Sequence, residues 1–204
     1  METEYLTIGE VSAVVLGPHS QKAFLFVHGA GGNKEEAVPF AEIAVPLGYQ
    51  VIGIDLPVMA SPSVVLSLLS AVKCYLDRYY SSVSVRANSI GCWYSLLAFQ
   101  EQGVEQAMFV SPTLDMKTFI DCSGQKDEEY YSWVVENPVS SWKSPTFILR
   151  PDIDLVVNEK VYEAFTGRVQ CVVQIMENGE HWFHTPEQLA VLRTWESKVL
   201  SRGL

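Results

Sequence analysis

The run Lys22–Val27, KAFLFV, constrains this chain more than any other stretch. It is apolar on both alternating faces and too short for a helix, which predicts a central strand in a sheet covered on two sides. Strand-length apolar runs recur at 49–54, 82–88, 106–110, 145–149 and 169–176. Between them lie helical patterns at about 34–47, 61–79, 90–102, 158–166 and 186–200, the second opening on Ser61 as N-cap and Pro62 at the first helical position. Residues 4–16 read as two short strands joined near Gly9-Glu10, a hairpin on one edge. Buried strands alternating with helices predict an α/β protein: a mostly parallel central sheet with helices on both faces.

No internal repeat or linker divides the 204 residues, so we expect a single domain spanning 1–204, long enough to bury a core. Residues 113–143 break the alternation. They are charged at Asp127-Glu128-Glu129 and rich in aromatics, including Tyr130, Tyr131, Trp133 and Trp142, which suggests an insertion.

The formal charge of −10 disfavours nucleic acid or an anionic membrane surface as partner, since both would be repelled. The opening METEYLTIGE has no basic segment followed by an apolar run, and no apolar run reaches membrane-spanning length. Cys74, Cys92, Cys122 and Cys171 are scattered, without CxxC or Cys/His spacing. Together these features predict a cytoplasmic protein with no bound metal and no cofactor.

In a parallel sheet of this kind, ligands lie outside the carboxyl ends of the strands. The polar exceptions of this chain fall at those ends. His28-Gly29-Ala30-Gly31-Gly32 follows one strand, Ser89 another, Asp152 and Asp154 a third, and His181 the last. Around Ser89 the sequence reads strand, tight turn at Asn88-Ser89-Ile90-Gly91, then apolar helix. Such a turn lifts a serine hydroxyl clear of the sheet, and it needs small residues two before and two after the serine, here Ala87 and Gly91.

A serine hydroxyl needs a base to accept its proton, and an imidazole, with an unperturbed pKa of about 6.5, suits that task. Of His19, His28, His181 and His184, His181 stands in the loop after the last strand, and His184 is its nearest competitor. His28 reads instead as a residue that hydrogen-bonds locally and shapes its loop. The base in turn needs a carboxylate. Asp154 is the first choice, because Leu155-Val156-Val157 would hold it against the sheet; Asp152 and, more distantly, Asp115 are the alternatives. Backbone N–H groups of Ile90 and of Ala30, with Gly31 as second choice, could receive an oxyanion. The glycine loop lacks the Lys-Ser/Thr of a P-loop and the spacing of a dinucleotide fingerprint.

The order Ser89, Asp154, His181, with an HG-x-G-type loop upstream and α/β alternation throughout, resembles the α/β-hydrolase superfamily over essentially the whole chain. The resemblance implies an α/β-hydrolase fold with an eight-stranded or trimmed sheet, a small cap or lid insertion at 113–143, and an acyl-enzyme mechanism. In that scheme Ser89 attacks a carbonyl, His181 moves the proton, Asp154 orients His181, and a small-molecule acyl ester or thioester is cleaved. Two departures stand out: Ala87 replaces the first glycine of the elbow, and Arg150-Pro151 precedes the acid where a histidine-glycine or similar pair is common. Trp133 in the insertion and Trp182 beside the base are candidate substrate-binding residues, with the alternative that they only anchor their segments.

Two further readings share these residues. The fold could serve a non-catalytic ligand- or partner-binding protein, or the same serine could carry out acyl transfer or peptide cleavage; fold alone does not choose. The oligomeric state has no signature in the sequence.

Overall fold

A computed structural model of the chain describes residues 1–124 and 127–201. Eight strands form one sheet in the order β1-β2-β4-β3-β5-β6-β7-β8. The hairpin strands are β1 (Thr3–Ile8) and β2 (Val11–Leu16), paired antiparallel; β2 also runs antiparallel to β4 (Gln50–Ile54). From β4 onward every pairing is parallel, through β3 (Lys22–Val27), β5 (Ser82–Asn88), β6 (Ala107–Val110), β7 (Thr146–Pro151) and β8 (Cys171–Met176). The order reverses at β3, where the chain steps from β4 back across to β5.

The two faces follow from the period of two along each strand. Leu25, Val27, Val85, Ala87, Ala107, Phe109 and Ile148 point into one apolar layer, which contains α2 (Pro62–Tyr79), α3 (Ile90–Phe99) and α6 (Glu159–Thr166). Phe24, Phe26, Met108, Val110, Phe147 and Leu149 point into the other, beneath α1 (Ala37–Ala44) and α7 (Pro186–Ser201). Arg86 belongs to this second face by register, since it pairs with Phe26.

Ser61 occupies the N-cap of α2 by position, but its hydroxyl lies 3.3 Å from that of Ser63 and caps no backbone N–H; Pro62 fills the first turn. The pattern at 34–47 is one α-helical segment between two single 3-10 turns. Pro46 in the second of these has no N–H with which to extend the α-helical ladder.

Residues 113–143 contain α4 (Met116–Ser123) and α5 (Glu128–Glu136). Their aromatics grip the body: Tyr130 and Trp133 pack on Trp93 of α3, at 6.2 and 6.1 Å between ring centroids. Trp142 packs on Phe109, and its indole N–H donates to Thr146 Oγ1 at 2.8 Å. No helix of the described residues is long and apolar enough to cross a membrane, and none of their His, Cys, Asp and Glu side chains cluster as a metal site would require.

Candidate active site

Ser89 sits between β5 and α3 with φ 48° and ψ −124°, a conformation that costs an L-residue free energy and persists only when the surroundings enforce it. Those surroundings are explicit. The Ser89 N–H donates to the Val110 carbonyl at 3.0 Å, and the Ser89 carbonyl accepts from Cys92 and Thr113 N–H groups, both at 3.1 Å. Gly91 makes the turn possible: a Cβ there would lie 2.4 Å from the His28 carbonyl oxygen and 2.9 Å from that of Val27. Ala87, the small residue on the other side, is fully buried within the sheet.

Ser89 Oγ lies 2.9 Å from His181 Nε2. His181 Nδ1 lies 3.0 and 3.1 Å from the two carboxylate oxygens of Asp154. A carboxylate can only accept, so Nδ1 carries the proton and Nε2 is left as the acceptor facing the serine. Both His181 and Asp154 are buried, with side chains 4% and 5% exposed.

Asp154 is held by more than His181. Its Oδ1 accepts from the N–H groups of Val156 and Val157 at 2.9 and 2.8 Å, and its Oδ2 accepts from the Tyr162 hydroxyl at 2.9 Å. Burial alone would raise the Asp154 carboxyl; the bond from His181 and the two backbone amides outweigh it and hold the carboxyl below its ordinary range. Tyr162 moves the other way, since burial and the adjacent Asp154 charge keep its phenol protonated.

The other candidates take different places. Asp152 accepts from the Gly179 N–H at 2.9 Å and so fixes the loop that carries His181. Asp115 caps α4 and pairs with Arg168 at 3.0 Å. His28 is buried; its Nδ1 donates to the Gly29 carbonyl at 2.7 Å and its Nε2 accepts from the Leu56 N–H at 3.0 Å. His184 is exposed and bonds the Trp182 carbonyl, and His19 lies on the surface near Gln21.

A cavity of about 230 Å³ opens beside Ser89 and His181. Ala30 and Gly29 line it from the glycine loop, while Ile90 begins α3 immediately after the serine. Trp182 borders the cavity, its ring edge-on to His181 with centroids 5.2 Å apart, and is 65% exposed. Trp133 is not part of the lining: α5 lies against α3, and its indole is spent on Trp93. No residue of 113–143 contributes to the wall among the described residues.

The lining includes groups that the sequence alone did not single out: Glu36, Arg86, Asn88 and Ser111. Arg86 is the centre of a buried network. Its Nε donates to Glu196 Oε1 of α7 at 2.8 Å, its Nη1 donates to the Ala87 carbonyl at 3.2 Å and to Asn88 Oδ1, and its guanidinium lies over the Phe26 and Phe40 rings. Burial pushes the Glu196 carboxyl up despite the opposing charge of Arg86. Ser111, at the end of β6, is held at φ 44°, and its buried hydroxyl makes no hydrogen bond among the described residues. A single charged residue inside the strand Ser82–Asn88 was the one visible signal for this network.

No family model and no curated protein matches this sequence. Among solved structures, the chain is similar to Est1E from Butyrivibrio proteoclasticus, with a TM-score of 0.83 at 16% identity over 98% of each chain. It is also similar to XC6422 from Xanthomonas campestris, described as an α/β serine hydrolase without a lid (TM-score 0.75, 17% identity, 100% of this chain and 95% of that one). A monoacylglycerol lipase from Paleococcus ferrophilus superposes with a TM-score of 0.73 at 12% identity over the whole of both chains. The eight-stranded, mostly parallel sheet and these likenesses establish an α/β-hydrolase fold.

Proposed function

We propose that this protein is a serine hydrolase that cleaves a small carboxylic ester or thioester through an acyl-enzyme on Ser89. The observation that carries the reading is the continuous chain from Ser89 Oγ to His181 Nε2 at 2.9 Å and from His181 Nδ1 to Asp154 at 3.0–3.1 Å. A protein that merely holds a ligand has no need of a carboxylate bound by four donors behind a histidine that faces a strained serine.

In this scheme Ser89 Oγ attacks the carbonyl carbon while its proton passes to His181 Nε2. Asp154 stabilises the resulting imidazolium and fixes the ring. The oxyanion of the tetrahedral intermediate is received by the backbone N–H groups of Ala30 and Ile90. Collapse breaks the bond to the leaving alkoxide or thiolate, which takes the proton from His181. Water then gives a proton to His181 and its oxygen to the acyl carbon, releasing the acid and restoring Ser89.

The cavity of about 230 Å³ favours a short acyl group, and its polar wall at Arg86, Asn88 and Glu36 favours one that carries hydrogen-bonding atoms. Est1E has been solved with ferulic acid bound. A hydroxylated aromatic acyl group belongs in the substrate panel here on the same grounds, with Trp182 and Phe183 offering flat apolar surface.

The test is initial-rate hydrolysis of acetyl, butyryl and feruloyl esters by wild type and Ser89→Ala. The proposal expects turnover by wild type and a fall to near the uncatalysed rate in the variant, as removal of a nucleophile leaves only residual catalysis. Hydrolysis that survives in Ser89→Ala, or no hydrolysis of any ester by folded wild type, would overturn it.

A further inference from the structure

The cavity beside Ser89 carries hydrogen-bond donors that the chain itself leaves unused. Arg86 of β5 is 3% exposed and lines this cavity. Its Nε donates to Glu196 and its Nη1 to the Ala87 carbonyl and Asn88 Oδ1, whereas Nη2 makes no hydrogen bond among the described residues. Asn88 spends its Oδ1 on Arg86 and leaves Nδ2 without a partner. Neither nitrogen is among the fully enclosed, unpartnered side-chain atoms, so both reach open space, and the cavity is the space their residues line. Ser111, on the same wall at the end of β6, adds a buried hydroxyl with no partner.

Unfilled donors in a closed site call for an acceptor, because an unmatched buried N–H costs free energy. Arginine Nη2 and asparagine Nδ2 only donate, so a carbonyl oxygen suits them and another N–H does not. A carboxylate suits them less. The Arg86 charge is already paired with Glu196 at 2.8 Å, so a second carboxylate would bring in negative charge without a counter-ion. Exposed Glu36 on the cavity wall repels it further. Val110, Phe183 and Leu192 supply apolar lining suited to methylene groups.

We propose that the acyl group cleaved here carries a second, uncharged carbonyl, whose oxygen is received by Arg86 Nη2 and Asn88 Nδ2 with the Ser111 hydroxyl as a third donor. The substrate class is thus an ester of an oxo acid, rather than of a plain fatty acid or a dicarboxylic acid. This deepens the proposed function and rests on it for placing the scissile carbonyl at Ser89. Arg86 and Asn88 lie on the strand that leads into that serine, so β5 sets the spacing between the two carbonyls.

The experiment compares matched methyl esters: 4-oxopentanoate against pentanoate, 5-oxohexanoate against hexanoate, and the succinate half-ester. Initial rates are measured for wild type, Asn88→Asp and Ser111→Ala, each checked for folding by thermal unfolding. Asn88→Asp keeps the acceptor for Arg86 Nη1 and removes the Nδ2 donor; Ser111→Ala removes only the hydroxyl. Arg86 itself is left in place, because its removal strands Glu196. Wild type is expected to favour the oxo ester of at least one pair about tenfold or more in kcat/KM, the scale of a hydrogen bond from a charged donor. It is expected to cleave the half-ester more slowly than that oxo ester. The preference should shrink several-fold in one or both variants; it is a ratio read on one protein, so a general loss of activity cancels. Equal kcat/KM within both pairs, a half-ester cleaved fastest, or a preference that survives both substitutions would overturn the proposal. Ligand-observed NMR titration of the same pairs into Ser89→Ala reads the subsite without turnover. If wild type cleaves no ester, tighter binding of the oxo ester there keeps the subsite and rejects only the hydrolase, while equal or absent binding rejects both.

Discussion

The Tyr162 hydroxyl donates to Asp154 Oδ2 at 2.9 Å, and that bond ties helix α6 to the carboxylate that faces His181. Tyr162 does not line the cavity, so its influence on chemistry passes through Asp154. Tyr162→Phe removes one hydrogen bond to a charged group, a loss of about 1.5 kcal/mol or roughly tenfold in rate. We expect that loss in kcat with KM nearly unchanged, measured on the best ester. An unchanged kcat would show that the two backbone amides hold Asp154 without help.

Gly91 is the tightest point of the elbow. Gly91→Ala drives a methyl group to within 2.4 Å of the His28 carbonyl oxygen, so either the turn opens or the fold yields. Urea denaturation should show a loss of about 3 kcal/mol or more, in the upper range for single substitutions. Ala87→Gly, on the other side of Ser89, should cost only about 0.5–1 kcal/mol, the conformational penalty of glycine in a strand.

Arg86 and Glu196 form a buried pair whose members depend on each other. Arg86→Met strands a carboxylate inside the core and should cost about 3–5 kcal/mol, whereas Arg86→Met with Glu196→Leu should recover much of that loss. A double-mutant cycle by chemical denaturation measures the coupling. Additive effects would mean that the pair contributes no mutual stabilisation.

The two buried carboxylates give opposite dependences on pH. Asp154 titrates lower in the folded chain than in the unfolded one, so the stability it contributes is present above about pH 4 and is lost as pH falls through its folded value. Glu196 titrates higher when folded, so its contribution is present below about pH 4.3 and is lost as pH rises through its folded value. Unfolding free energies for wild type and Glu196→Gln, compared from about pH 4 to 7, should therefore shift against wild type as pH rises. A constant difference across that range would contradict the raised carboxyl.

The elements nearest the site were the most legible. β3 and β5 match their sequence runs residue for residue because each ends abruptly, at His28 and at Ser89, where the chain must turn. The sequence favoured Asp154 over Asp152 only through the apolar Leu155-Val156-Val157 behind it, since both follow β7 and what separates them is which loop atoms they meet: Gly179 for one, His181 for the other. Arg86 was hidden for another reason. Its partner Glu196 lies 110 residues away on α7, and no local pattern announces a contact of that range. Trp133 shows the limit of reasoning from residue type, because an aromatic in an insertion packs against the body as readily as it faces a substrate.

The measurement closest to the central claim is intact-mass spectrometry after treatment with a fluorophosphonate, which modifies only a serine whose proton can be withdrawn. Wild type should gain a single adduct that maps to Ser89, and neither Ser89→Ala nor His181→Ala should gain one. A folded wild-type protein that takes up no label, or one labelled equally well without His181, would contradict an activated serine at the end of β5.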